Sequence, residues 1–142
     1  MSGFRVIRPS ERTPDAASGA MRREAAISSG LVGAGALWFG HVELAPGAVS
    51  AVHHHGECES AIYIISGHAR FWAGLGPSGL EECHDAEAGD FVWVPPHVVH
   101  VEANRSDTEP VRMAVARSHQ EAIVVNLPNP EGWPPPTPAA GS

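Results

Sequence analysis

Cysteine is scarce in this chain. Cys58 and Cys83 are the only two, too few for a disulfide framework, and a reduced cytoplasmic setting is the simpler expectation. Basic residues are few as well. Nine stand against sixteen acidic ones, for a net charge of −7, which argues against nucleic acid because a phosphate backbone calls for a basic face. Long apolar runs are missing too. The longest weakly polar stretch, SSGLVGAGALWFG (28–40), falls short of the ~20 residues that cross a bilayer, so no membrane role is expected. The opening MSGFRVIRPSER carries charge with no apolar stretch behind it and does not read as a secretory leader. Helical periodicity is weak throughout. The best helix candidate is DAASGAMRREAA (15–26), with Gly19 inside it.

What is present is a series of short apolar segments punctuated by glycine and proline. LWFGHVEL (37–44), AIYII (61–65), HARFWAG (68–74), a polar segment over 81–87, FVWV (91–94), VVHVEAN (98–104), VRMAVARS (111–118) and EAIVVNL (121–127) all read as strands. LGPSG (75–79) reads as a turn. Such spacing predicts an all-β sandwich or barrel, and 142 residues suffice for one domain with a real core. The chain divides into an irregular N-terminal arm (1–28), in which FRVI could pair as an edge strand, a barrel (29–127), and a flexible tail (128–142) with six prolines in fifteen residues. Trp38, Phe39, Phe71, Trp72, Phe91 and Trp93 are expected mainly in the core.

The chemistry concentrates in AVHHHGECESAIYIISG (51–67). His53 and His55 are two apart, which on a strand turns both imidazoles to one side and His54 to the other. Glu59 shares their parity unless Gly56 bends the chain. His100 opens a later strand. Two histidines, a carboxylate and a distant histidine that converged would hold a divalent metal; imidazole and carboxylate suit Zn, Fe, Mn, Ni or Cu. A bare histidine triplet is otherwise an exposed polar stretch, and the flanking residues decide between the two.

Those flanks resemble the cupin family. Its first motif runs glycine, five residues, HxH, three or four residues, glutamate, six residues, glycine; here Gly47, His53, His55, Glu59 and Gly67 follow that order. Its second motif runs glycine, five residues, PxG, two residues, histidine, three residues, asparagine; here Gly89, Pro95, His100 and Asn104 match, with His97 in place of the second glycine. Between Glu59 and Gly67 stand seven residues rather than six, so that counting back from Gly67 the glutamate slot falls on Ser60. Either the strand bulges there and Glu59 is a ligand, or the site is three histidines with Glu57 or Glu59 beside it.

The resemblance implies a double-stranded β-helix (a jelly-roll barrel) with the metal inside one end, held by His53, His55, Glu59 and His100. The chain looks like the small single-domain bacterial cupins, often loosely labelled mannose-6-phosphate isomerase-like, and the resemblance implies a homodimer. It further implies a metal-dependent enzyme on a small molecule, with zinc as Lewis acid and Glu57 or Tyr63 as proton carrier. Cyclisation, rearrangement or isomerisation is the expected chemistry, with precedents in bacterial secondary metabolism that include nitrogen–nitrogen bond formation beside a partner enzyme. An Fe(II) dioxygenase and a non-catalytic binding barrel are the alternatives. Cys58 is expected as a small filler rather than a soft ligand or nucleophile, and Arg70, Arg112 and Arg117 as solvated charges rather than binders of an anionic substrate.

Overall fold

The structure, a computed structural model, describes residues 2–15, 21–74, 80–130 and 133. Among the described residues, a 3₁₀ turn at Pro9–Glu11 precedes eleven strands: β1 (Thr13–Asp15), β2 (Met21–Ile27), β3 (Trp38–Leu44), β4 (His53–His54), β5 (Ser60–Ser66), β6 (His68–Gly74), β7 (Glu82–Glu87), β8 (Phe91–Val94), β9 (Val99–Asn104), β10 (Val111–Arg117) and β11 (Val125–Asn126). One short helix, α1 (Ser29–Val32), is capped by the Ser28 hydroxyl, which accepts from Leu31 N–H at 3.2 Å. Among the described residues no helix is long and apolar enough to cross a membrane.

The strands form two antiparallel sheets, ordered β1-β2-β3-β10-β5-β8 and β11-β4-β9-β6-β7, and their inner faces pack as a jelly-roll sandwich. Alternation sets what each face carries. In β5, Ser60, Ile62 and Ile64 are buried while Ala61, Tyr63 and Ile65 are exposed. The inner residues join Val42, Leu44, Phe71, Val111 and Met113 in the main core. A second cluster, with Val52, Trp72, Val101 and Ala103, lies on the outer side of the five-stranded sheet, where Leu127 and Trp133 pack over it. Trp133 meets Trp72 edge-on at 5.1 Å; most of the proline-rich tail expected over 128–142 lies outside the described residues.

Three expectations are corrected. The helix expected over 15–26 falls partly on 16–20, which lie outside the described residues; its second half belongs to a strand, Met21–Ile27, paired with β3 and burying Met21 and Ala25. Its alanines and charged residues favour helix locally, and pairing overrides them. β1 pairs with it, so the arm carries two strands where an irregular segment was expected, while FRVI lies outside any strand. The late segment 121–127 contributes only Val125–Asn126, paired with β4. Finally, Phe39, Phe91 and Trp93 are exposed, at 45%, 79% and 64%, whereas Trp38, Phe71 and Trp72 are buried. The turn expected at 75–79 lies outside the described residues.

Asn104 ties the barrel end together. Fully buried, its Nδ2 donates to Leu44 O, Ala45 O and Glu109 O, and its Oδ1 accepts from Ser106 N–H. Two motif turns need left-handed backbone. Gly67 has φ 93°, and a Cβ there would sit 2.5 Å from Pro110 O. His97, at φ 63°, occupies the position where the resembled motif has glycine, and its N–H donates to Gly56 O at 2.7 Å.

Candidate metal centre

Four side chains meet on the inner face of the five-stranded sheet. His53 on β4 pairs directly with His100 on β9. His55 follows β4 at the start of a turn, and Glu102 lies two residues beyond His100, so β9 turns both to the same side. Candidate ligand atoms of His53, His55, His100 and Glu102 all fall within 4.8 Å of one another. The imidazole centroids are 4.9, 4.3 and 5.0 Å apart. His53, His100 and Glu102 are buried.

The hydrogen bonding orients this cluster. His53 Nδ1 lies 2.7 Å from Ala51 O, His55 Nδ1 lies 2.7 Å from Ile123 O, and His100 Nδ1 lies 3.0 Å from Val98 O. In each contact Nδ1–H donates, which turns every Nε2 toward the shared centre. His100 Nε2 is buried and has no aligned hydrogen-bond partner among the described residues. It lies 3.3 Å from Glu102 Oε1 without hydrogen-bond alignment, as when both atoms aim at a common third point.

Electrostatics agree with that geometry. Burial, helped by the neighbouring His100 and His53, pushes the His55 imidazole down to about 4. Burial also lowers His53, with His100 adding to the effect. His100 is desolvated as well, yet the Glu102 carboxylate outweighs burial and raises it. Burial alone would raise Glu102; the imidazoles of His100, His53 and His55 outweigh it and hold the carboxyl at about 2. At neutral pH the cluster therefore offers an ionised carboxylate and imidazoles of which two are firmly neutral, and a buried anion among histidines is a donor set for a divalent cation. Three nitrogens and one oxygen also leave coordination positions open.

The structure brings His53, His55 and His100 together. It does not bring Glu59. A turn closes at Gly56 (φ 56°), with Cys58 N–H donating to His55 O at 3.0 Å. That turn resets the alternation. Ser60, the slot reached by counting back from Gly67, points inward, and Glu59 points out, accepting from Trp93 Nε1 at 2.9 Å. The carboxylate of the cluster comes from Glu102 on the opposite sheet. Its signal was present in HVE (100–102): a second alternating pair, on the strand already assigned a ligand. His54 points away, its Nδ1 accepting from Gly56 N–H. Glu57 is exposed in the turn, and Tyr63 stacks on Phe91 at 4.8 Å on the outer face. Neither proton-carrier candidate joins the buried cluster. Arg117, expected to be solvated, is buried with its guanidinium 3.9 Å over Trp38.

Comparison with known proteins agrees with the two motifs. A family model described as a cupin domain matches residues 40–117. No curated protein matches the sequence. Among solved structures, oxalate decarboxylase from Bacillus subtilis at pH 4.6 superposes with a TM-score of 0.69 at 25% identity, over 83% of this chain and 30% of that one. A second structure of the same enzyme, concerned with its Mn(II) centres, gives the same values. The Lactobacillus farciminis oxalate decarboxylase formate complex shares the fold at 23% identity, with a TM-score of 0.69 over 83% of this chain and 34% of that one. This chain thus spans about a third of the length of those enzymes. A barrel with both motifs in place, a family match over more than half the chain, and a cluster of three histidines and a glutamate suited to a divalent ion together make this protein a metal-binding member of the cupin family.

Proposed function

We propose that this protein is a metal-dependent enzyme acting on a small organic molecule, with His53, His55, His100 and Glu102 as the metal ligands. The observation that carries the reading is the common orientation of the three imidazoles: each Nδ1 is held by a backbone carbonyl and each Nε2 is left for the centre. A bound divalent ion supplies Lewis-acid polarisation of a substrate oxygen or nitrogen. The chain's own residues do the rest. Glu102 contributes the negative charge that offsets the cation, Ala51, Ile123 and Val98 hold the rings in register, and the apolar cluster of Val52, Val101 and Ala103 behind β4 and β9 shields that side from bulk water.

Zinc and a non-redox rearrangement, cyclisation or isomerisation is the reading we favour, because imidazole nitrogens and one carboxylate suit that ion. A manganese-dependent reaction is the second reading, supported by the likeness to enzymes whose structures concern Mn(II) centres. Metal analysis of untagged protein purified without chelator tests both, beside the His53→Ala/His100→Ala double variant. Near one zinc per chain, lost in the variant, supports the favoured reading. Manganese at that level selects the second. A folded wild type that takes up no divalent metal overturns both.

A further inference from the structure

Among the described residues, one small space and one large one touch the cluster. One lies between the sheets and is lined by His55, Cys58, Ser60, Glu102, Arg23 and Arg117 among others; it has about 30 Å³ of free volume, room for about one water. The other is a groove of about 680 Å³ between β7 and β8, and it meets the cluster at His100. Ligand sites commonly measure about 300–1,000 Å³, so only the groove can admit an organic substrate.

The register shows what the groove offers. On the inner face of the five-stranded sheet, His53 pairs with His100, His100 with Ala73, and Ala73 with Glu82. In the neighbouring row, Glu102 pairs with Phe71, and Phe71 with His84. Strands lie about 4.8 Å apart, so Glu82 is about 10 Å across the sheet from His100. Ala73 alone stands between them, and its small side chain leaves the groove floor open. His84 Nε2 lies 3.1 Å from Glu82 Oε1. Phe71, Val94, Pro95 and Val98 supply apolar wall. The charged groups among the described lining residues are all acidic: Glu82, Asp85 and Asp90. Asp85 is bonded to Arg70, and Asp90 accepts from Glu87 N–H.

On the reading that the cluster holds a metal, we propose that substrate reaches it through this groove, and that the substrate is a neutral or cationic molecule with an apolar body rather than a dicarboxylate. The apolar body lies along Phe71 and Val98. Its polar end faces Glu82 and His84, and its reacting atom passes over Ala73 to the ligands. Carboxylates at the entrance repel an anion and attract a cation.

Cobalt(II)-loaded protein tests this, with visible absorption reporting ligands at the metal. The probes are 4-methylimidazole and imidazole-4-acetate at about pH 8.5, where both rings are largely unprotonated, so that the first is neutral and the second an anion. The wild type is expected to bind the neutral probe at least about tenfold more tightly. Glu82→Gln is expected to narrow that gap about threefold. Ala73→Trp, which fills the floor, and His84→Trp, on an exposed strand that tolerates bulk, are each expected to keep full cobalt content and weaken 4-methylimidazole by about tenfold or more. Unchanged binding in whichever of these folds and loads, or a preference for the anion, overturns the proposal and leaves the metal reading intact. Failure of the folded wild type to take up cobalt defeats the metal reading, and this proposal with it.

Discussion

The two halves of the centre come from segments that look alike in sequence and behave differently in space. In HHHGECES (53–60) an acid follows the histidines at the spacing that the resemblance calls for, yet Glu59 ends on the outer face, bonded to Trp93. In VHVEAN (99–104) the acid matched no part of the motif, yet Glu102 ends inside, beside three imidazoles. The difference is the turn at Gly56. β9 runs without interruption, so His100, Glu102 and Asn104 keep one parity; the first segment turns between His55 and Cys58, and parity starts again at Ser60. Ligands are chosen by the face of an unbroken strand, and a spacing rule carries across a turn only when the turn has the expected length.

The comparison can be broken at Glu102. Changing a residue behind a ligand typically costs about 10–100-fold in metal affinity, so Glu102→Gln should cost at least that, while Glu59→Gln should leave affinity within about twofold. Competition titration with a chromophoric chelator reads both. The same comparison can be sharpened by moving the acid. Ser60 points into the space beside His55 and Glu102, so Ser60→Glu in the Glu102→Gln background should recover at least part of the lost affinity. If the double variant binds no better than Glu102→Gln alone, the inward parity of β5 does not place a side chain at the metal.

A third change probes why β9 holds its line. Asn104→Ala strips partners from Leu44 O, Ala45 O and Glu109 O. At about 1–3 kcal/mol for a buried group left unsatisfied, it should destabilise the fold by about 3 kcal/mol, measured by urea unfolding. A loss below about 1 kcal/mol would mean that those carbonyls find other partners.

The smallest effect belongs to the far edge of the same sheet. There Arg70 holds Asp85 with two hydrogen bonds, and its guanidinium, with Arg105 adding charge, lowers the Asp85 carboxyl from its usual value. A carboxyl lowered on folding adds stability above its unfolded pKa and loses it as pH falls through the folded one. Asp85→Asn should therefore cost a little stability at neutral pH and flatten the decline below pH 3.8. The pair is partly exposed, so the change should be under about 1 kcal/mol. Thermal melts across that range check it, and an unchanged acid limb would remove Asp85 from the account.

Much of the fold was legible because strand signals and packing agree. HARFWAG and FVWV coincide with β6 and β8, and the segments around 37–44, 98–104 and 111–118 differ from β3, β9 and β10 by a residue at an end. β2 was not legible, because MRREAAI has no alternation and its strand exists through pairing with β3. Nor was the exposure of Phe91 and Trp93: both are strong strand formers, and only the parity of Val92 and Val94 assigns them outward. Within the centre, three histidines followed from alternation and motif order. Glu102 was hidden because the expected acid had a candidate in the first motif, and no local feature showed that the turn at Gly56 had spent the shared parity.

The most direct measurement is equilibrium metal content of wild type, Glu102→Gln and Glu59→Gln, loaded side by side from the same limiting metal buffer. Full occupancy in the wild type and in Glu59→Gln, with occupancy lost in Glu102→Gln, is the result this account predicts. Retention in Glu102→Gln with loss in Glu59→Gln would contradict it and return the carboxylate to the first motif.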